Sequence, residues 1–240
     1  DDIWIFPAAN DSGVPAGAAL ALAAQHGEVV NEKAQQVYLG PGFSDDEVEA
    51  ILKDYKIKYE VSGDISGEVA ELLAKDKIVA WFQGKMEYGP RALGNRSILA
   101  NPGKKETWQK VNTIKKREHW RPLAPSVLFG TQHEYFEDMS KDYEAPYMIV
   151  AFNVKEKKKK EIAAVTHVDG TSRPQTVKKT QNEKYYKLIK KFGELSGTPI
   201  VMNTSFNTQE PLVCTPHDAI RTFYASQLDY LAIGKFLVKK

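Results

Sequence analysis

Two arginines lie in a glycine-rich stretch, YGPRALGNRSILANP, which occupies residues 88–102 and follows the apolar run KIVAWFQG. The planar guanidinium of arginine binds a phosphate or a carboxylate through two parallel hydrogen bonds. Glycines on either side allow backbone N–H groups to approach the same anion. Arg91 and Arg96 therefore indicate an anion-binding site on a rigid turn.

Further cations follow, several of them at the ends of predicted elements: Lys115, Lys116, Arg117, Arg121 and Arg173. A nucleotide polyphosphate needs such a convergence of fixed positive charges. The alternative is that each arginine pairs with a nearby acid, for instance Arg117 with Glu118 or Glu87, and the spacing does not separate the two interpretations. The sequence has no GxxxxGK[ST] segment and no GxGxxG after a strand, so an ordinary nucleotide-binding loop is excluded.

The apolar run PIVMNTSFN ends in polar residues: Asn203, Thr204, Ser205 and Asn207. Hydroxyls and amides at the carboxyl end of a strand occupy the place where α/β proteins usually bind ligands. Ser205 is a poor candidate for a nucleophile, because it lacks a GxSxG elbow and an obvious base. The alternative is an Asx-type turn, in which these side chains satisfy their own backbone.

Two shorter signals concern metals. His167 and Asp169 are two residues apart in HVDGTSRPQTV and would share one face of a continuing strand, but a turn at Asp169 and Gly170 explains the same spacing, and we favour the turn. Asp11 precedes a predicted helix in PAANDSGVPAGAAL, where it or Ser12 would cap that helix. The second interpretation of Asp11 is a carboxylate metal ligand.

The composition of the 240 residues favours no particular macromolecular partner, because 33 basic and 31 acidic residues leave a net charge of +2. The longest charge run, VKEKKKKE at residues 154–161, is expected as a solvated hairpin tip; an RNA-binding patch is the alternative, but no aromatic residue interrupts the run. Cys214 is the only cysteine, which excludes an intrachain disulfide and a cysteine-based zinc site. No apolar run approaches the ~20 residues of a membrane span. We therefore expect a cytoplasmic protein.

The hydrophobic pattern predicts an α/β fold with a mixed sheet. Helices are predicted over VPAGAALALAAQH, SDDEVEAILKDY, ISGEVAELLAKD, KKETWQKVNTIK, NEKYYKLIKKFGELSG and TPHDAIRTFYASQ, with Ser44 capping the second and Asp64 or Ser66 starting the third. Strands are predicted over IWIFP, KIVAWFQG, SILANP, RPLAPSVL, YMIVAFNV, IAAVTHV, TPIVMNTSFN and YLAIGKFLVKK. A boundary at residues 55–62 separates a short first part from the strand-rich body. Because the chain starts inside a predicted strand without methionine, we expect an excised fragment.

Five blocks, in order along nearly the whole chain, resemble a known family: WFQGKMEYGPRALGNRSILANP, IKKREHWRPLAPSVL, HVDGTSRPQTV, GTPIVMNTSFNTQEPLV and TPHDAIRTFYASQLDYLAIGKFLV. They are similar to the C-terminal part of the ATP-dependent O-carbamoyltransferases. This is the family of nodulation protein U and of the carbamoylating enzymes of tobramycin and cephamycin biosynthesis. The co-occurrence of five blocks is more specific than any one of them.

The resemblance implies two domains. Residues 1–58 would be the C-terminal remnant of an actin-like carbamoyl-transfer domain with its linker. Residues 59–240 would be a YrdC-like domain, a twisted mixed sheet with flanking helices. That domain is implied to form carbamoyl-adenylate from carbamoyl phosphate and ATP with Mg. The full-length enzyme would then pass the carbamoyl group to a hydroxyl of a small-molecule acceptor.

The resemblance also implies roles for residues of the matching motifs. The implied catalytic residues are Lys115, Arg91 and Arg121, and the implied substrate- and ATP-binding residues are Arg96, Arg173, Ser205 and Asn207. Asp11 matches the aspartate of DxGxAxGAA and is implied to bind Fe or another divalent metal, only in a full-length context. The family's histidine pair is absent from this chain, so we expect at most the activation half-reaction.

Two other functions are compatible with the same residues. One is threonylcarbamoyl-adenylate synthesis, and the other is an RNA-binding YrdC-like module. We expect small-molecule substrates, no membrane partner and no RNA partner, and we leave a homodimer open.

Overall fold

The computed structural model describes residues 5–28 and 36–240. This part of the chain forms seven α-helices: α1 Val14–Gln25, α2 Asp45–Asp54, α3 Ile65–Ala74, α4 Lys105–Ile114, α5 Gln132–Tyr135, α6 Glu183–Ser196 and α7 Pro216–Ala225. Local sequence fixes several starts, because Ser44 forms a capping box with Glu47 at α2 and Asp64 accepts the N–H of Gly67 at α3. Both caps agree with the sequence prediction.

Ten β-strands occur in the same described residues: β1 Glu60–Val61, β2 Val79–Phe82, β3 Arg96–Ala100, β4 Ala124–Leu128, β5 Phe152–Asn153, β6 Thr171–Ser172, β7 Gln175–Val177, β8 Ile200–Ser205, β9 Tyr230–Ile233 and β10 Phe236–Lys239. Eight form one sheet in the order β1-β10-β9-β2-β3-β8-β4-β7, and β5 pairs with β6. β2 is parallel to β9 and β4 to β7, whereas the other pairs are antiparallel. The predicted mixed sheet is confirmed.

Helices cover both faces of the large sheet. Side chains alternate along a strand, so Ala80 and Phe82 pack into one apolar cluster with α2, α4 and α7. Val79 and Trp81 face the other side and pack with α3 and α6. This second cluster includes Tyr185, which is fully buried. The two-sided burial holds the sheet rigid and fixes the ends of its strands.

One end of the sheet, here called the β8 end, gathers the cationic segments. β8 is antiparallel to β3 and β4, so its carboxyl end lies beside their amino ends. β7 is parallel to β4, so its amino end lies there too. The segments that enter β3, β4 and β7 carry Arg91, Arg121 and Arg173, and β8 ends at Ser205. The topology therefore brings together residues that are far apart in sequence.

Two predicted strands are wrong. Of YMIVAFNV only Phe152–Asn153 is a strand, and IAAVTHV contains a 3₁₀ turn at Ala163–Val165 instead. Ile162, Ala164 and Val165 are buried, and the N–H of Ala164 donates to the carbonyl of Pro102. Apolar residues in a short irregular segment gave the same pattern as a strand, since burial alone produces it.

The first helix also differs from expectation. Pro15 lies in its first turn, where proline is tolerated, and none of the residues of α1 is buried. Neither Asp11 nor Ser12 caps it: Gly13 is at the N-cap, and the Ser12 hydroxyl donates to Asn10. The predicted strand IWIFP lies partly outside the described residues. No helix in the described ranges has the length and apolar character needed to cross a membrane.

Candidate functional site

Lys115 directly follows α4, and only 3% of its surface is exposed. Its Nζ donates to the carbonyl oxygens of Ser205 and Asn207, at 2.6 and 2.9 Å, and to Asn207 Oδ1 at 2.7 Å. The hydroxyl oxygen of Ser205 lies 3.2 Å away. An ammonium has three donors, and these four oxygens surround it. The structure thus joins the IKKRE block to the end of β8.

The surroundings of Lys115 lower its pKa, so its protonation state changes near neutral pH. Burial, followed by the positive charge of Arg117, lowers the pKa of Lys115 to about 7, and the carboxylate of Glu210 opposes this shift. A buried amine with such a pKa exchanges its proton near neutral pH. An arriving anion would favour the charged form, because opposite charges at close range stabilise each other.

Asn112, a fully buried residue of α4, holds the segment that leads into β4. Its Oδ1 accepts from Arg117 Nε at 2.6 Å, and its Nδ2 donates to the carbonyls of Arg121 and His119 at 3.0 and 3.2 Å. Burial, and then Arg121, lower the pKa of Arg117 to about 10. Its second terminal nitrogen is buried without a hydrogen-bond partner in the described residues. Arg117 therefore has one terminal nitrogen that no group of the described residues satisfies.

A cavity of about 530 Å³ opens over Lys115. Its lining comes from the two segments that meet there: Lys115, Lys116, Arg117, Glu118, Arg121, Ser205, Asn207, Thr208, Gln209 and Glu210. Of the two acids, Glu118 pairs with Arg121 at 2.8 Å. The alternative left open by the sequence, pairing with a nearby acid, therefore holds for Arg121, whereas Arg117 forms no ion pair with Glu118 or Glu87 among the described residues. Four basic against two acidic side chains suit the cavity to an anion.

Arg91 and Arg173 form a second cationic group at the β8 end. Burial lowers the pKa of Arg173 to about 10, and the charge of Arg91 lowers it further in the same direction. The Nε atoms of both arginines are buried without a hydrogen-bond partner, and neither side chain forms an ion pair among residues 5–28 and 36–240. Two unpaired guanidiniums side by side repel each other, so a bound anion would relieve the repulsion.

The backbone N–H groups of the glycine-rich turn before β3 bind the side-chain carboxylate of Glu87. Glu87 Oε1 accepts from the backbone N–H groups of Leu93 at 2.6 Å, and of Asn95 and Arg96 at 3.3 Å. Gly94 has φ +102°, and a Cβ there would lie 2.2 Å from the ring of Tyr185. Only glycine fits this conformation and this contact. The N–H groups expected to meet a ligand therefore bind the Glu87 carboxylate, which fixes the turn that presents Arg91.

Arg96 is not among the residues that line the cavity over Lys115. It is fully buried, and its terminal nitrogens donate to the carbonyls of Gln83, Gly84, Asn95 and Pro41. Its guanidinium also lies 3.7 Å from the centre of the Phe82 ring. This arrangement ties the segment before α2 to the sheet. The ligand role expected for Arg96 stays a prediction, and it would require the side chain to leave these carbonyls.

The residues considered as metal ligands, His167, Asp169 and Asp11, do not form a ligand cluster among the described residues. His167 and Gly170 close the expected turn, since the Gly170 N–H donates to the His167 carbonyl, and the side chain of Asp169 accepts from Thr171. Asp11 is exposed. Within residues 5–28 and 36–240, no three His, Cys, Asp or Glu side chains converge as metal ligands would.

The lysine run lies in the long connection between the antiparallel strands β5 and β6, where it includes a 3₁₀ turn at Glu156–Lys158. Lys158 pairs with Glu161 at 2.8 Å, and Lys159 pairs with Glu156 at 2.6 Å. These pairs neutralise part of the run, which weakens the case for a nucleic-acid surface.

The sequence analysis did not predict the roles of three residues that organise the site, and it considered Glu87 only as an ion-pair partner of Arg117. Glu87 stands just before the glycine-rich turn, and Asn112 occupies a helix interior, where asparagine is a poor helix former. Glu210 follows the polar end of β8, and its carboxylate accepts from Thr208, Gln209 and Thr222. A polar residue at a position that the helix pattern assigns to the core was a usable signal for Asn112. Nothing in the spacing identified the partners of Glu87 or Glu210.

Comparison with known proteins identifies the family of the chain. Residues 70–240 match the model of the family described as "Carbamoyltransferase C-terminus". The chain is 43% identical over its whole length to nodulation protein NolNO of Sinorhizobium fredii, of which it covers 36%. It is 38% identical to nodulation protein U of Bradyrhizobium diazoefficiens, over 86% of this chain and 34% of that protein. The chain thus spans little more than a third of these relatives.

Among solved structures, the chain is similar to full-length HypF, crystallised in the phosphate- and nucleotide-bound form. The TM-score is 0.52 at 16% identity, over 73% of this chain and 25% of that protein. At this identity the similarity concerns the fold alone. It confirms the YrdC-like mixed sheet with flanking helices.

Proposed function

Because the chain belongs to the Carbamoyltransferase C-terminus family, we propose that its β8 end binds carbamoyl phosphate and ATP and forms carbamoyl-adenylate. Water splits carbamoyl phosphate into carbamate and inorganic phosphate. A carbamate oxygen then attacks the α-phosphorus of ATP, the bond from that phosphorus to the bridging oxygen breaks, and pyrophosphate leaves. The full-length protein passes the carbamoyl group to a hydroxyl of a small-molecule acceptor.

The observation that carries this proposal is the cationic cavity over Lys115. Joining two anions requires that their repulsion be offset, and fixed cations do so without rearrangement during the reaction. Lys115 and Arg121 offer charge from one side of the β8 end, and Arg91 and Arg173 from the neighbouring segments. Holding the two substrates together also removes most of the entropy cost of their encounter.

Ser205 and Asn207 act by binding rather than by covalent attack. The Ser205 hydroxyl donates to Asn207 Oδ1 at 2.8 Å and lies beside the Lys115 ammonium. In this arrangement the hydroxyl proton is directed at Asn207, and the ammonium form of Lys115 cannot accept it. Both residues hold Lys115 in place and exchange these contacts for contacts to a phosphate when substrate binds.

Mg²⁺ enters this reaction with ATP as part of the substrate, and the described residues supply no ligand cluster for it. The same holds for the divalent metal expected at Asp11, whose exposed carboxylate belongs to no group of three or more such ligands among the described residues.

The proposal is tested by supplying carbamoyl phosphate, Mg-ATP, or both, and measuring pyrophosphate. We expect release only with both substrates. A chain that binds neither substrate in calorimetry would contradict the proposal. Release with threonine and bicarbonate in place of carbamoyl phosphate would instead favour threonylcarbamoyl-adenylate synthesis.

A further inference from the structure

The carboxylate of Glu210 collects four donors from its surroundings. Its oxygens accept from the N–H and the hydroxyl of Thr208 at 3.2 and 2.5 Å, and from the N–H of Gln209 at 3.0 Å. The fourth donor is the hydroxyl of Thr222, 2.8 Å away in α7. Thr222 is 2% exposed, so this contact connects the cavity wall to a helix that is packed in the core.

Glu210 also orients Asn207. The carbonyl oxygen of Glu210 accepts from Asn207 Nδ2 at 2.7 Å. This fixes which end of the amide faces outward, so that Asn207 Oδ1 points at the Lys115 ammonium. A chain of hydrogen bonds therefore runs from Thr222 through Glu210 and Asn207 to Lys115.

The charge of Glu210 acts on Lys115 as well. The charged groups that face Lys115 across the cavity are Lys116, Arg117, Glu118, Arg121 and Glu210. Arg117 disfavours the ammonium and Glu210 favours it. Burial alone would raise the pKa of Glu210, but hydrogen bonds from Thr208 and Thr222 bring it to about 2, so the carboxylate is ionised at any working pH.

We propose that Glu210 is a positioning residue for this site. Its carboxylate clamps residues 207–210 to α7 and supplies the negative charge that keeps Lys115 protonated for an incoming phosphate. The inference rests on the proposed function, because it assigns Lys115 an anionic ligand. It assigns roles to Glu210 and Thr222, which touch no substrate in this scheme and act through Lys115 and Asn207.

The test distinguishes the effect of the charge of Glu210 from the effect of the shape of its side chain. Glu210→Gln keeps the shape of the side chain and removes its charge, whereas Glu210→Asp keeps the charge and shortens the reach toward Thr222. We expect the titration midpoint of Lys115 to fall by about half a pH unit or more in Glu210→Gln. In Glu210→Asp it should stay near the wild-type value. A loss of structure alone would weaken binding without moving this midpoint.

The midpoint is measured by NMR on the whole chain with ¹³C-labelled lysine, with Lys115→Met to assign the signal. Calorimetry with inorganic phosphate across the same pH range gives the affinity. As the pH is raised, the affinity should begin to decrease at a lower pH in Glu210→Gln than in the wild type. Glu71→Gln, an exposed residue of α3, is the matched control and should change neither value. An unchanged Lys115 midpoint in folded Glu210→Gln would overturn the inference.

A second variant keeps the test decisive if Glu210→Gln does not fold. Thr222→Val retains every charge and removes one hydrogen bond of the clamp. We expect faster hydrogen exchange at the Thr208 and Gln209 amides together with weaker phosphate binding, and no change in either would overturn the inference. If the wild type binds no phosphate at any pH, the proposed function fails, while the Lys115 midpoint still decides the role of Glu210.

Discussion

The ammonium of Lys115 lies 2.7 Å from Asn207 Oδ1, although 92 residues separate the two in sequence. The contact joins the end of α4, where the chain leads toward β4, to the segment that directly follows β8. It holds a cation in place in the absence of a ligand, which is the preorganisation that the proposed function requires.

Lys115→Met should weaken the binding of inorganic phosphate by at least about tenfold, because it removes the one buried cation of the cavity while keeping much of the side-chain volume. Calorimetry at neutral pH measures the change. Lys190→Met, which removes an exposed charge of α6, is the control for net charge. Equal losses of phosphate affinity in the two variants would show that the effect comes from the net charge and not from the position of Lys115.

The stability of the chain should depend on pH through Lys115. Its pKa is lowered from 10.5 to about 7 in the folded state, so between these values the unfolded chain binds a proton that the folded chain lacks. The free energy of unfolding of the wild type, minus that of Lys115→Met, should therefore rise with pH above 7, by up to about 1.4 kcal/mol per unit. Below pH 7 the difference should be constant. Urea unfolding at several pH values measures it, and a flat difference would contradict the pKa.

Arg173→Gln should show whether the second cationic group, Arg91 and Arg173, contributes to phosphate binding. Removing one of two unpaired guanidiniums relieves repulsion, so the unfolding temperature in chloride should stay the same or rise. The additional stabilisation by phosphate, at constant ionic strength, should decrease, because a ligand group is lost. Arg221→Gln on α7, where Arg221 pairs with Asp218, should keep the full phosphate effect. A full phosphate effect in Arg173→Gln would remove Arg173 from the site.

The sequence predicted the mixed sheet and most helices because alternation, periodicity and caps are local properties. Ser44 and Asp64 cap their helices through neighbours three residues away, so their partners are visible in the sequence. The site was less predictable. The carbonyl partners of Arg96 include Pro41, 55 residues away, and spacing cannot show that a guanidinium is enclosed by the backbone rather than offered to a ligand.

The same limit applies to the glycine-rich turn. The sequence indicated that its N–H groups would meet an anion, and the structure shows that this anion is the side chain of Glu87. A resemblance to a family transfers roles by position and does not distinguish a residue that contacts substrate from one that holds such a residue in place. Distances and burial show that the guanidinium of Arg96 is enclosed by backbone carbonyls, whereas Lys115 borders a cavity.

Replacing Glu87 should therefore affect both stability and binding. Glu87→Ala leaves three buried N–H groups without an acceptor, at about 1–3 kcal/mol for each unsatisfied group, so the free energy of unfolding should fall by several kcal/mol. Glu87→Gln keeps one acceptor oxygen and should lie between Glu87→Ala and the wild type. Denaturant unfolding gives the order, with Glu71→Gln as the exposed control. Phosphate affinity should fall in the same order, because the loosened turn no longer fixes Arg91. If Glu87→Ala were as stable as the wild type, the carboxylate would not hold this turn, and the turn could not owe its shape to an internal anion.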